Sequence, residues 1–359
     1  MHLGLVIYGS LDTLSGGYLY DRKLVEHLRG QGDEVTVVSL PWRNYAAHLA
    51  DNFSPSLTRR LRAAPFDLLL QDELNHPSLF WLNGRLRQEV AYPIVSIVHH
   101  LRCSEPRAGW MNRLYRAVER RYLGSVDGYV FNSHTTRGVV ESLVGTDKPS
   151  VVACPAADHL DFGAPVRAEN ADGPLRLAFV ANLIPRKGLH VLLDALARLE
   201  SGSWRLAVIG SDEADPAYAR AIRRQIERLG LAAGVTLTGA LPSAGVAGHL
   251  AASDVLAVPS AYEGFGIVYL EAMGHGLPAL ACTTGAAHEI VTDGETGFLV
   301  APGDAEGLAD AIRLLAADRA RLAAMGRAAR RRFEAFPTWA EGGWAIRAFA
   351  QEMAARRRT

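Results

Sequence analysis

Short apolar runs alternate with longer amphipathic runs along the chain, and this alternation restricts the fold more than any other feature. Apolar runs of about four to eight residues predict buried strands, and apolar positions at helical spacing predict helices packed on them. In the first half, the predicted strands are Leu3–Tyr8, Val35–Leu40, Leu68–Gln71, Ile94–Val98 and Gly128–Phe131. The predicted helices are Tyr18–Arg29, Ser78–Glu89, Met111–Leu123 and Thr135–Leu143. This order is typical of a doubly wound parallel sheet.

The pattern breaks after the strand Val151–Cys154 and begins again at Leu175. The stretch 156–174 holds several Pro, Gly and Asp residues without a clear period, which predicts a linker. The second set of predicted strands is Leu175–Ala181, Arg205–Ile209, Val235–Thr238, Val255–Val258, Ala279–Cys282 and Gly297–Val300. The helices predicted with them are His190–Leu199, Ala217–Leu229, Gly245–Ala251, Val268–Gly274, Ala305–Ala316, Arg319–Phe333 and Trp339–Arg357.

We therefore expect an α/β protein of two Rossmann-like domains, residues 1–155 and 175–337, which face a central cleft. The length of 359 residues agrees with two domains at about 150 residues each. Ligands of such sheets bind at the carboxyl ends of the strands, so the cleft is the expected site.

Composition excludes several classes of protein. Lys and Arg number 38, as do Asp and Glu, so the net charge is zero and a nucleic-acid partner is not expected. The three cysteines form neither a CxxC pair nor an even disulfide framework. Because no leader-like segment and no apolar run of about 18 residues is present, a cytoplasmic protein is expected.

The most informative stretch is 259–273, which follows a predicted strand and runs into a helix. It contains Glu263 and Glu271, with seven residues between them, and the loop glycines Gly264 and Gly266. Carboxylates suit sugar hydroxyls, and glycines with a helix N-terminus suit a phosphate. The alternative is an ordinary loop with both glutamates solvated.

Two cations, Arg186 and Lys187, precede a predicted helix in the turn Pro185–Gly188. Cations at a helix start oppose the helix dipole unless an anion lies between them. An arginine fork and a lysine point charge together fit a diphosphate. A solvated basic turn is the alternative.

The first half offers two weaker candidates. Gly16 and Gly17 precede the first helix and are able to present backbone N–H groups to a phosphate, although a plain turn is equally compatible. His99 follows a strand end, where it is able to donate to a hydroxyl or a carbonyl, the alternative being a structural histidine. No zinc-ligand spacing is found among the histidines, so no metal site is predicted.

A basic amphipathic helix is predicted over Arg107–Leu123. Six arginines stand between residues 102 and 121 against two glutamates, with Trp110 and Leu114 among the apolar positions. Such a helix is able to lie on an anionic membrane surface. The alternative is a core-facing apolar stripe with solvated arginines. The cluster Arg59, Arg60 and Arg62 is a second basic patch.

These motifs together resemble the retaining glycosyltransferases of family 4, also called group 1, which have the GT-B fold. The resemblance rests on EGFGIVYLEAMGHGLP, the turn PRKG, the first-loop glycine pair and GAAHEIVTDGETGFLVAPGD at residues 285–304. It spans essentially the whole chain and is densest over residues 175–304. A dehydrogenase is disfavoured because no GxGxxG follows a predicted strand.

The resemblance implies a role for each candidate residue. Glu271 would hold the ribose and Glu263 the donor hexose, while His99 would lie near the reacting centre. The implied donor-binding set is Gly16, Gly17, Asn182, Arg186, Lys187, Glu263, Gly264, Phe265, Gly266, Ile267 and Glu271. The implied catalytic set is His99, Glu263, Arg186 and Lys187. The tail helix, 338–359, would pack back on the first domain.

The sequence departs from the family pattern at Ala181-Asn182, where many members have Gly-Arg. An arginine that often assists the lysine of this site is thus absent at this position, and Arg186 is the candidate replacement.

The expected reaction is retaining hexosyl transfer from a nucleoside-diphosphate sugar, with UDP favoured and GDP as the alternative. The acceptor is a hydroxyl on a membrane lipid such as diacylglycerol, or on a soluble sugar or metabolite. Charge stabilisation without a metal or cofactor is expected, because no DxD motif stands out. Peripheral attachment to the inner membrane face would accompany a lipid acceptor. A catalytically silent nucleotide-sugar-binding module is the alternative function.

Overall fold

A computed structural model describes residues 1–105, 107–160, 162 and 173–356. The chain divides into two compact units, Met1–Pro155 with Pro337–Thr359, and Ala156–Phe336. Of the predicted linker, residues 161 and 163–172 lie outside the described residues, as do residues 357–359 of the predicted tail.

The first unit contains a six-stranded parallel sheet in the order β2-β1-β3-β4-β5-β6. Its strands are β1 His2–Tyr8, β2 Glu34–Leu40, β3 Leu68–Asp72, β4 Ile94–Val98, β5 Gly128–Phe131 and β6 Ser150–Val152. Its helices are α1 Gly16–Gly30, α2 Tyr45–Asp51, α3 Pro55–Ala63, α4 His76–Leu79, α5 Leu82–Leu86, α6 Gly109–Ser125, α7 His134–Val144 and the terminal α14 Trp339–Ala355.

Both faces of this sheet are buried, and successive side chains of a strand point to opposite faces. On β1, Leu5 and Ile7 join one apolar cluster, whereas Val6 and Tyr8 join the cluster on the opposite face. A strand covered by helices on both sides is apolar at nearly every position, which explains the unbroken apolar runs. The tail helix α14 packs on α1, where the Arg347 guanidinium donates to Asp33 at 2.6 Å.

The structure contradicts the prediction of one helix over Ser78–Glu89. Two short helices, α4 and α5, lie there instead, because Asn52 inserts its amide into the break. Its Nδ2 donates to the carbonyl of Pro77 at 2.8 Å, and its Oδ1 accepts from the N–H of Trp81 at 2.8 Å. These are the two backbone groups that a continuous helix would join to each other. Helices α2 and α3 were not predicted.

The second unit contains another six-stranded parallel sheet, in the order β12-β11-β10-β7-β8-β9. Its strands are β7 Leu175–Val180, β8 Trp204–Ile209, β9 Val235–Gly239, β10 Val255–Ala257, β11 Ala279–Cys282 and β12 Gly297–Val300. Its helices are α8 Leu189–Leu196, α9 Pro216–Arg228, α10 Ser243–Ala251, α11 Ile267–Gly274, α12 Ala305–Ala317 and α13 Arg319–Glu334. Two helix-covered parallel sheets confirm the predicted α/β, doubly wound fold class.

Candidate functional site

The Glu263 carboxylate is the centre of a buried ionic cluster in the second unit. It lies in the loop between β10 and α11 and is only 6% exposed. Lys187 Nζ is 2.5 Å from Oε1, and an Arg186 guanidinium nitrogen is 3.6 Å from Oε2. The Ser260 hydroxyl also donates to Oε1, at 2.6 Å. One carboxylate is therefore shared by two cations.

These cations fix the charge of Glu263. Burial alone would raise the pKa of the carboxyl group, but the charges of Lys187 and Arg186 outweigh burial and lower its pKa to about 2. The hydroxyl of Ser260 lowers the pKa further. Glu263 is thus an ionised hydrogen-bond acceptor at physiological pH, as recognition of sugar hydroxyls requires.

The turn that carries the cations lies directly against the Glu263 loop. Gly188 has φ +75°, and a Cβ there would lie 2.1 Å from the Pro259 carbonyl oxygen, so only glycine permits this approach. The Arg186 guanidinium donates to the carbonyl of Tyr262 at 2.8 Å, and the N–H of Ala261 donates to the carbonyl of Arg186 at 2.8 Å.

Two cations close to a helix start are unfavourable unless an anion lies beside them. In this structure Glu263 is an anion beside Arg186 and Lys187. The two cations lie in a 3-10 turn, Pro185–Lys187, rather than in the first turn of α8. A bound diphosphate would therefore be a second anion beside these two cations.

The glycine-containing loop presents backbone rather than side chains. Gly266 has φ +99° and precedes α11, whose first N–H groups have no acceptor within the helix. The Phe265 side chain is buried and packs on Phe336 with ring centroids 5.9 Å apart. Ile267 is buried as well, and Gly264 lies in the same buried loop. Contacts from residues 264–266 to a ligand would thus be made by main-chain atoms, whereas Glu263 in the same loop offers its carboxylate.

Glu271 is separate from the Glu263 cluster and pairs with a histidine that the sequence analysis missed. It is the fifth residue of the eight-residue helix α11, and its Oε1 lies 3.3 Å from His159 Nε2. His159 belongs to the stretch that was predicted to be a linker. No local pattern signals this pairing, because more than a hundred residues separate the partners in sequence.

Asn182 follows β7, and its side chain is directed at the loop after β8. Its Oδ1 accepts from the N–H of Ser211 at 3.4 Å. The residue that replaces the family arginine thus contributes a loop contact in this structure.

In the first unit, the glycine pair and His99 are brought together. Helix α1 begins at Gly16, two residues earlier than predicted, and is capped by Ser15, whose Oγ accepts from the N–H of Tyr18. A Cβ on Gly17 would lie 3.5 Å from Cδ2 of the His99 ring, an ordinary contact distance. The free N–H groups of a helix start therefore lie beside the predicted histidine.

Two buried aspartates surround His99, and the sequence analysis singled out neither. Asp21, on α1, is fully buried, and Asp72, the last residue of β3, is 2% exposed. Asp21 Oδ1 lies 3.5 Å from His99 Nε2. The position of Asp72 at a strand end was the only signal available, since the three residues are far apart in sequence.

Helix α6 has a buried face and an exposed basic face. Tyr115, Val118 and Tyr122 are buried, whereas Trp110 is 70% and Leu114 48% exposed, so the predicted apolar stripe divides between core and surface. Glu119 is fully buried and accepts the N–H of Arg102 at 2.6 Å. The carboxyl group of Glu119 is therefore not part of the exposed basic face. The exposed arginines of α6 are Arg113, Arg116, Arg120 and Arg121.

The aromatic surface continues from α6 to the loop between α4 and α5. The Arg121 guanidinium lies 5.3 Å above the ring of Trp81, which is 49% exposed. Trp81 in turn lies beside Phe53, which is 62% exposed, with ring centroids 5.7 Å apart. No helix in the described ranges is long and apolar enough to cross a bilayer.

Known proteins match both units. A family profile described as Glycosyltransferase Family 4 matches residues 20–159, and one described as Glycosyl transferases group 1 matches residues 165–332. A GDP-mannose-dependent alpha-(1-6)-phosphatidylinositol monomannoside mannosyltransferase of Mycolicibacterium smegmatis is 33% identical over 66% of this chain. The match covers 63% of that relative, less than two thirds of its length.

Other matches span nearly the full length. A phosphatidyl-myo-inositol mannosyltransferase of Mycobacterium leprae is 28% identical over 93% of each chain. The solved structure of sucrose-phosphate synthase from Thermosynechococcus elongatus superimposes with a TM-score of 0.85 over 99% of each chain, at 22% identity, which shows a common fold. With the matching profiles and the ionic cluster around Glu263, these likenesses show that the chain belongs to the family 4, or group 1, glycosyltransferases, enzymes of GT-B fold that use nucleotide sugars.

Proposed function

We propose that this chain transfers a mannosyl unit from GDP-mannose, with retention of configuration, to a lipid of the phosphatidylinositol class. The main structural support for nucleotide-sugar transfer is the buried Glu263 carboxylate, which Lys187 and Arg186 hold. The names of the mycobacterial relatives support the donor and the acceptor. The sequence analysis favoured UDP, and these names move the preference to GDP.

The ionic cluster suits the charge that develops in the reaction. When the glycosyl bond breaks, negative charge grows on the departing phosphate oxygen while the sugar becomes cation-like, so fixed positive groups stabilise the transition state. Lys187 and Arg186 supply two such groups beside Glu263. The ionised Glu263 then accepts hydrogen bonds from the donor hexose.

We infer a front-face route, in which the departing phosphate oxygen takes the proton of the acceptor hydroxyl. The acceptor oxygen forms the new glycosidic bond on the face from which the diphosphate leaves, which preserves the anomeric configuration. Glu263 is not assigned as a nucleophile, because Lys187 and Arg186 stabilise its ionised form and lower its pKa, which makes the carboxylate a weak nucleophile.

The exposed face of α6 supports a lipid acceptor. Arginines provide electrostatic attraction to anionic headgroups at about 1 kcal/mol each, and aromatic side chains favour the membrane interface. Trp110 and Leu114 supply exposed apolar area on the same helix as the exposed arginines. A soluble acceptor would make no use of this surface.

A donor panel tests the proposed reaction. We expect GDP-mannose to raise the melting temperature and to be hydrolysed slowly, and expect UDP- and ADP-sugars to have weaker effects. Addition of phosphatidylinositol vesicles should then yield a mannosyl lipid whose α linkage is readable by NMR. Stabilisation by a UDP-sugar alone would replace the donor, and a β-linked product would refute retention.

A vesicle experiment tests the lipid surface separately. We expect sedimentation with phosphatidylinositol-containing vesicles at low salt and release at high salt, because the attraction is screened. The double variant Arg113→Glu, Arg120→Glu should lose most of this binding, whereas Arg224→Glu, an exposed change on α9, should not. Equal binding by both variants would refute the role of α6 and favour a soluble acceptor.

A further inference from the structure

His99, Asp21 and Asp72 form a compact buried cluster whose charges must balance internally. Their nearest oxygen and nitrogen atoms all lie within 4.8 Å of one another. Among the described residues, neither oxygen of Asp21 has a hydrogen-bond partner in good geometry, and Asp21 is fully buried. Because an uncompensated buried carboxylate is very costly, the imidazole at 3.5 Å is the group that compensates it.

Two buried carboxyl groups at this separation do not both ionise readily. Burial and, after it, the negative charge of Asp21 together raise the pKa of Asp72 to about 7. The Asp72 Oδ1 atom accepts the N–H of Leu74 at 2.9 Å, a bond that both protonation states permit. Asp72 is thus the carboxyl group that keeps a proton toward neutral pH, and Asp21 is the one that lies against the His99 imidazole.

The His99 ring is held on several sides. Its main-chain carbonyl accepts from Asn132 Nδ2 at 2.7 Å, which fixes the backbone at the end of β4. The Tyr20 ring meets the imidazole edge to face at 5.2 Å, and Gly17 lies against Cδ2. Since Nε2 is directed at Asp21, Nδ1 is the second donor of the ring.

The charged and titratable groups that face His99 come from α1, from β3 and from the turn that follows β3. Asp21 and Tyr20 lie on α1, Asp72 ends β3, and the carboxyl group of Glu73 accepts from the main-chain N–H of His99. Burial lowers the pKa of His99, but the neighbouring carboxyl groups, above all that of Asp21, outweigh burial and raise its pKa above the usual value. Burial raises the pKa of Tyr20 and of Glu73, which keeps both neutral.

We propose that Asp21 positions the His99 ring as an imidazolium for glycosyl transfer, while Asp72 keeps the one proton that the two buried carboxylates share. The pair Asp21–His99 is then neutral overall, and the ring presents a fixed N–H donor and a positive charge. This inference rests on the proposed function only for the part that His99 takes in transfer. The pairing itself is a property of the folded chain.

The pairing is tested by NMR titration of the wild-type protein labelled on its histidine rings, with His99→Gln identifying the resonance. We expect His99 to titrate above about 6.5, the usual value for histidine. In Asp21→Asn its midpoint should fall by one pH unit or more, as about 1.4 kcal/mol of lost interaction implies. Asp33→Asn, a buried change elsewhere in the same unit, should leave the midpoint unchanged.

Several results would overturn the proposal. A wild-type midpoint below about 6.5 would do so without any variant, even if Asp21→Asn fails to fold. An unchanged midpoint in Asp21→Asn would remove Asp21 as the partner. One bound divalent ion per chain, lost in both Asp21→Asn and Asp72→Asn, would show a metal site in place of the shared proton.

Steady-state kinetics test the catalytic part. Asp21→Asn should lower kcat about tenfold at neutral pH with little change in donor KM, less than the hundredfold or more that an acid–base group itself contributes. The alkaline limb of its pH–rate profile should move to lower pH with the NMR midpoint. A shifted midpoint with an unchanged kcat would exclude His99 from transfer and leave the donor chemistry around Glu263 untouched.

Discussion

Both units contain a buried carboxyl group beside a predicted catalytic residue, but the two are compensated in opposite ways. Glu263 in the second unit is surrounded by Lys187 and Arg186, which hold its pKa at about 2. Asp72 in the first unit faces Asp21 and only one cation, His99, and burial raises its pKa to about 7. The same functional group is therefore a permanent anion in one unit and a proton carrier in the other.

This difference separates two tasks of a glycosyl transfer. A cluster with two cations suits binding of a diphosphate and stabilisation of its departure. A cluster in which Asp72 holds a proton near neutral pH suits control of the protonation of His99. The neighbours of each carboxyl group, rather than its residue type, decide which task it serves.

The largest expected effect comes from removing a cation of the Glu263 cluster. Lys187→Ala should reduce turnover at least about a hundredfold, the scale of losing one charge-stabilising group. Lys187→Arg keeps the charge and should retain more activity, and circular dichroism would check the fold of both. A turnover close to wild type in Lys187→Ala would mean that the contrast between the two clusters has no catalytic meaning.

The second prediction concerns the sign of the pH dependence of stability. The lowered pKa of Glu263 gives stability that is present above about 4.5, its unfolded value, and is lost as pH falls toward about 2. The advantage of wild type over Glu263→Gln in free energy of unfolding should shrink by about 2 kcal/mol between about pH 5 and about pH 3.

The raised pKa of Asp72 acts in the opposite direction. Its contribution is present below about 3.8, its unfolded value, and is lost as pH rises through about 7. Asp72→Asn should therefore gain about 2 kcal/mol relative to wild type between about pH 5 and about pH 7. Denaturant titrations at each pH measure both differences, and slopes of the same sign would contradict the comparison.

The smallest effect is expected at Glu271, which lies apart from the Glu263 cluster. Glu271→Ala should weaken GDP binding about tenfold, since a hydrogen bond to a charged group contributes about 1.5 kcal/mol or more. Its kcat at saturating donor should change little, because a ribose contact is made equally in ground and transition states. Calorimetry with GDP measures the affinity, and Glu295→Ala on the exposed surface is the control. Equal weakening in the control would remove Glu271 from the donor site.

Much of the fold was predictable because it depends on local patterning. Inner strands such as β1, β4 and β11 are short apolar runs, and burial on both faces makes such runs visible without any partner. The break between α4 and α5 was not predictable. It depends on Asn52, which lies some thirty residues away in sequence and replaces a helical hydrogen bond with its own amide.

The residues of the candidate site also include some that the sequence could predict and some that it could not. Glu263, Gly266 and Glu271 fall within one short stretch, and Lys187 within another, so the sequence alone drew attention to them. Asp21 and His159 carried no signal, because each acquires its partner only when distant segments pack together. The sequence could not predict the exposure of Trp110 either. The helical spacing of apolar residues does not show which face of a helix packs against neighbouring elements.

The sequence by itself determined the class of fold and the residue types available for nucleotide-sugar chemistry. Apolar periodicity acts over a few residues, and the motifs that mark the family are contiguous. Only the tertiary structure decided the charge state of each buried acid. That state depends on which charges lie within a few ångströms in a medium from which water is excluded, and the chain brings Lys187 to Glu263, and Asp21 to His99, only by folding.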